Sequence, residues 1–142
     1  MGDRCWGRVV CRPGDKELFE EVGLHNEFEN DDEHLDYPGA VLLVGEVDYA
    51  LAGELDGLRK AGVPFVFWND AGCSYGPGAC AFDGKDFAEA ELNHDLGVVV
   101  PVDDGGVPVS ADVENARRYL EVVRRVKEMF LSGSERERRE RT

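Results

Sequence analysis

Residues 40–68 read AVLLVGEVDYALAGELDGLRKAGVPFVFW. Residues Ala40–Tyr49 are rich in Val and Leu and predict a strand. Leu51, Leu55, Leu58 and Ala61 then recur at helical spacing, which predicts an amphipathic helix over 50–61. Gly62 is placed to end it, because glycine adopts the left-handed conformation that closes a helix. Val63-Pro64 lead into a second apolar run, Phe65–Trp68. Strand, helix, glycine and strand in this order predict a βαβ crossover with a parallel strand pair.

On the N-terminal side, residues 5–12 (CWGRVVCR) alternate as a half-buried strand. Cys5, Gly7, Val9 and Cys11 share one face. Pro13 opens a short helix carrying Leu18, Phe19 and Val22, with Gly23 at its end. Residues 25–38 (HNEFENDDEHLDYP) hold six acids and are expected to form a loop with at most one short edge strand.

On the C-terminal side, residues 69–78 (NDAGCSYGPG) form a glycine-rich loop. Ala79–Phe82 and Lys85–Leu92 flank Asp83-Gly84, a hairpin turn signal. Val98–Val102 is expected to add a further strand. Ser110 caps a last helix over about 111–131, with Val113, Ala116, Leu120, Val123 and Phe130 in its apolar stripe, broadened by Tyr119, Val122, Val126 and Met129. These elements predict an α+β domain over residues 1–131, followed by a disordered charged tail over 132–142. The expected architecture is two-layer: a mixed sheet of about six strands with one βαβ unit and a hairpin meander. Three helices lie mainly on one face, as a ferredoxin-like core would place them.

The 142-residue chain is 42% hydrophobic and 32% charged, with a formal net charge of −14. Apolar content at the globular average argues against disorder. The N-terminus carries no apolar stretch of the secretory type, and no run reaches the roughly 20 apolar residues of a membrane helix. A cytoplasmic location is expected. Residues 1–110 hold 23 acidic and seven basic side chains, a net of −16. That balance disfavours direct nucleic-acid binding and favours a basic protein partner. Glu89 and Glu91 fall on one side of their strand, about 7 Å apart. Glu46 and Asp48 do the same on theirs. Joined by Glu27, Glu29, Asp31, Asp32, Glu33 and Asp36, they would form a negative band. Such a band suits a non-enzymatic protein that imitates nucleic-acid charge and occupies a DNA- or RNA-binding partner.

Two other readings stand beside this one. With four Lys against twelve Arg, the acidity also fits a structural or regulatory subunit whose charge only reflects a salt-adapted or GC-rich host. The nearer alternative is a small enzyme with a Cys-based or carboxylate-based site. It would place its site at the 69–78 loop, with Cys73 as nucleophile, His94 as base and Asp70 or Asp95 as orienter. No nucleophile motif surrounds Cys73. The loop lacks the Gly-Lys-Ser/Thr of a phosphate-binding loop, and no G-x-G-x-x-G opens a helix, so no cofactor is expected. No metal is expected either, because Cys5 and Cys11 lie about 20 Å apart on an extended strand. Asp31-Asp32-Glu33 lacks the glycine and the distant Glu of a calcium loop. The wide stripe of the 111–131 helix leaves room for a homodimer contact.

Overall fold

In the computed structural model the described residues are 4–25, 37, 39–48, 51–71, 76–93, 95 and 97–141. They form an α+β fold. Strand β1 (Arg4–Cys11) is followed by a 3-10 turn at Pro13–Asp15 and helix α1 (Lys16–Glu20). Then come β2 (Val41–Asp48), α2 (Ala52–Lys60), β3 (Phe65–Asn69), β4 (Gly78–Phe82), β5 (Phe87–Glu91) and α3 (Ser110–Arg141). The five strands make one sheet in the order β2-β1-β3-β4-β5.

Every pair of neighbouring strands is antiparallel. The crossover read from residues 40–68 is present, but its two strands do not touch. Because β2 and β3 both run antiparallel to β1, they point the same way with β1 between them. This is a split βαβ unit. The local pattern reports the direction of its two strands and is silent on what lies between them. The unit is shared with ferredoxin-like proteins, whereas the rest of the strand order is not.

The expected strand at Val98–Val102 is reduced to isolated bridges, Leu92 with Val98 and Val102 with Pro108. Pro101 and Pro108 lack the N–H that a ladder needs, and among the described residues the sheet has five strands. The helices also divide differently from the two-layer expectation. One apolar cluster joins Phe19 of α1 and Leu55 of α2 to Val9, Cys11, Leu43, Phe65, Phe67 and Phe82 on one sheet face. A second joins Tyr119, Val122, Val126 and Phe130 of α3 to Val10, Val66, Ala81 and Ala88 on the other. α3 therefore forms a third layer. Its seat is made of alanines, since Ala79, Ala81 and Ala88 are buried beneath it. Small side chains there let the helix approach the sheet closely. In the stripe itself Leu120 is exposed, while Tyr119 and Val122 take the buried side. α3 runs on to Arg141, through the residues expected to form a disordered tail.

The two short helices close in the same way. Val63 N–H bonds to Leu58 O and Gly62 N–H to Arg59 O; Leu24 N–H bonds to Phe19 O and Gly23 N–H to Glu20 O. Both glycines have positive φ, 77° at Gly62 and 101° at Gly23. These are Schellman closures. After the second, His25 exchanges two main-chain bonds with Val44 and so borders β2. The rest of the acidic 25–38 stretch lies almost wholly outside the described residues.

The β4–β5 turn is held by one side chain. Asp83 Oδ1 accepts from the N–H groups of Lys85 (2.8 Å) and Asp86 (2.6 Å). Asp83 Oδ2 accepts from Arg125 Nη1 of α3 at 3.2 Å, and Arg125 also reaches Asp86 and Glu121. Burial works to raise the Asp83 pKa, but the two N–H donors and the guanidinium outweigh it and hold the carboxyl below its ordinary value. A lowered folded pKa stabilises the protein above the unfolded value of about 3.9. That contribution is lost as pH falls through the folded value. Asp83→Ala is expected to cost about 1–3 kcal/mol at neutral pH. In urea unfolding across the acid range, the gap between the variant and the parent should shrink below about pH 4.

Candidate functional site

A cleft of about 410 Å3 opens beside β5, between α2 and the start of α3. The alternation of the strands brings Phe67, Cys80, Phe87, Glu89 and Glu91 to its α2 side. Leu55, Asp56 and Arg59 of α2 face them. The cleft continues past the edge of the sheet to Ala90, Val99, Pro101 and Asp112. Its lining carries four carboxylates, Asp56, Glu89, Glu91 and Asp112, against one guanidinium, Arg59.

Arg59 sits in the last turn of α2. Its guanidinium carbon stands 3.7 Å over the centre of the Phe87 ring, a cation–π contact. Nη1 lies 3.9 Å from Asp56 Oδ1. Arg59 Nε is buried and has no hydrogen-bond acceptor among the described residues. Asn69, at the inner end of β3, is buried and donates from Nδ2 to Asp70 O at 2.9 Å.

Cys80 faces this cleft in register with Glu89. Burial pushes its thiol up to about 12; the Glu89 carboxylate adds to the effect and Arg59 opposes it. Cys11 is also pushed up to about 12, by burial first and by Asp15 second. Both thiols are protonated at neutral pH and are not nucleophiles there. Ellman's reagent at pH 7.5 should leave Cys11 and Cys80 unmodified in the native protein and label both in denaturant. Fast labelling of Cys80 in the native state would refute this placement.

The acidic residues singled out from the sequence are only partly gathered. Glu89 and Glu91 are both exposed on β5, on the same sheet face, as the alternation predicts. Glu46 is exposed on β2, opposite Trp6. It lies four strand positions away, about 19 Å, and on the other face of the sheet. The single band joining Glu46 to Glu89 and Glu91 is therefore not formed. The inserted β1 and the meander push the two edges apart. Asp48 ends β2, and its side chain is not among those described. Glu27, Glu29, Asp31, Asp32, Glu33 and Asp36 lie outside the described residues.

Of the enzyme candidates, Cys73 and His94 also lie outside the described residues. Asp70 follows β3 and pairs with Arg8 at 3.1 Å. Asp95 is exposed and donates its N–H to Asn93 Oδ1. Asp56, Arg59 and Phe87 were not foreseen as site residues. Asp56 and Arg59 share a helix face at i,i+3 spacing, which was a readable signal. The link from that face to Phe87 depends on tertiary packing.

Among the described residues no group of three or more His, Cys, Asp or Glu could hold a metal ion. No helix of the described residues is long and apolar enough to cross a membrane. No protein-family model, curated protein or solved structure matches the chain.

Proposed function

We propose that this protein is a non-enzymatic binding protein that receives a basic protein partner at the cleft beside β5. The observation that carries the reading is the composition of that cleft. Four carboxylates rim apolar walls; Asp56 is paired with Lys60 at 3.1 Å and lies near Arg59, which is itself stacked on Phe87, so Glu89, Glu91 and Asp112 supply the charge open to a partner. Such a site attracts lysine or arginine side chains and rewards burial of their aliphatic stems. A partner whose own surface is built to neutralise phosphates meets that description. The imitation of nucleic-acid charge is then local to the β5 edge of the sheet.

The test is charge reversal at Glu89 and Glu91 together, each to lysine. Both side chains are exposed, so the melting temperature should change little. Immobilised parent protein should retain host-lysate proteins that elute as salt is raised, because exposed charge pairs are screened beyond about 10 Å at 0.1 M. The doubly reversed variant should not retain them. Retention indifferent to both salt and reversal would overturn the proposal.

A further inference from the structure

The hydrogen-bond parity of the β4–β5 hairpin shows which main-chain groups of β5 face outward. Asp83 N–H bonds to Asp86 O at the turn, and Leu92 N–H bonds to Pro77 O at the other end. In the register that runs between them, Ala81 opposes Ala88 and Ala79 opposes Ala90. Bonded and non-bonded pairs alternate in an antiparallel ladder. Residues 86, 88, 90 and 92 therefore bond inward to β4. The N–H and C=O groups of Phe87, Glu89 and Glu91 point to the open edge of the sheet.

At the far end of this edge the chain itself supplies a partner, since Val99 N–H donates to Glu91 O at 2.9 Å. The outward groups of Phe87 and Glu89 have no such partner among the described residues. The space beside them is the cleft, whose lining includes Phe87, Glu89, Ala90 and Pro101. Unpaired main-chain groups on an accessible edge are a template for an added strand.

We propose that the β5 edge at Phe87–Glu89 binds an extended, basic segment of the partner by strand addition, within the acidic cleft. The inference rests on the reading of the cleft as the partner site and specifies how that site is used. The added strand continues the pairing that Val99 begins. Side chains of an extended segment alternate between the two faces of the sheet. Lysine or arginine at every second position would then lie beside Glu89 and Glu91. The intervening apolar residues would fall towards Ala90 and Pro101. Backbone bonds supply the docking and the alternate side chains supply the selectivity.

The probe is the capped peptide Lys-Val-Arg-Val-Lys, titrated into isotope-labelled protein while amide shifts are read by NMR. The Phe87 and Glu89 amides should move most. The decisive comparison is Glu89→Pro with Glu89→Gln. Both remove the same charge, but only proline removes the outward N–H, and the inward ladder to β4 does not use that group. Proline should weaken the peptide by about tenfold or more relative to glutamine. A peptide N-methylated at alternate amides, tested on the parent protein, should show the same loss without any change in the fold. Equal affinity for Glu89→Pro and Glu89→Gln, full affinity of the N-methylated peptide, or no peptide binding at millimolar concentration would each overturn strand addition. If salt-sensitive capture of the partner is still lost on charge reversal in that case, the acidic-cleft reading survives. If it is not, both fail.

Discussion

Gly45→Val is expected to lower the melting temperature by about 6–12 °C, or to prevent folding. A Cβ built on Gly45 would overlap the carbonyl oxygen of Gly23 and crowd the backbone of Leu24. Those atoms are not the flexible end of a side chain. They belong to the closing turn of α1, which is fixed by its two Schellman bonds and by the His25 pairing with Val44. Moving them would break main-chain bonds or withdraw Phe19 and Leu24, both fully buried. Either route costs more than the roughly 1–3 kcal/mol of ordinary overpacking. Gly45→Ala should show the same direction with a smaller loss. Thermal unfolding followed by circular dichroism is the measurement, and an unchanged midpoint for both variants would contradict the close approach of α1 to β2.

Phe65→Ala should destabilise the protein by about 3–5 kcal/mol. Phe65 is fully buried where β3 faces α1. Its ring meets Phe19 edge-on at 5.9 Å between centroids and Phe82 at 6.1 Å. Phe19 is the buried side chain of α1, so removing the ring opposite loosens that helix as well as leaving a cavity. The urea midpoint should fall with little change in slope if the fold stays two-state. Leu120→Ala, by contrast, alters an exposed position of α3 and should change stability by no more than about 0.5 kcal/mol.

The elements were legible where local chemistry specifies them. The valine and leucine runs of β2 and β3, the Leu51–Leu58 spacing of α2, and the glycines that end α1 and α2 all act within a few residues. Sheet order was not legible. Whether β2 and β3 touch depends on β1, thirty residues before the first of them, and no periodicity within 40–68 encodes that. The second layer left a trace that is clear in hindsight. Phe65–Trp68 is apolar at every position, and a strand apolar on both faces needs cover on both. The candidate site was half legible. Alternation put Glu89 and Glu91 on one side, but Arg59 and Phe87 meet only through packing of α2 on the meander. The acids of β2 looked equivalent to those of β5 until the strand order placed them at opposite edges.

β1, an inner strand flanked by β2 and β3, is also the first of the five to be made. Its hydrogen bonds to β3, such as those around the Val9–Phe67 pair, wait until roughly sixty further residues have been synthesised, several seconds at about 5–20 residues per second. During that interval β1 has β2 as a neighbour on one flank and a row of unpaired main-chain N–H and C=O groups on the other. Folding of the nascent chain should therefore be late and abrupt. A chain truncated just before Phe65 would retain, of the five strands, only β1 and β2, with the bare flank of β1 open to aggregation or to a chaperone.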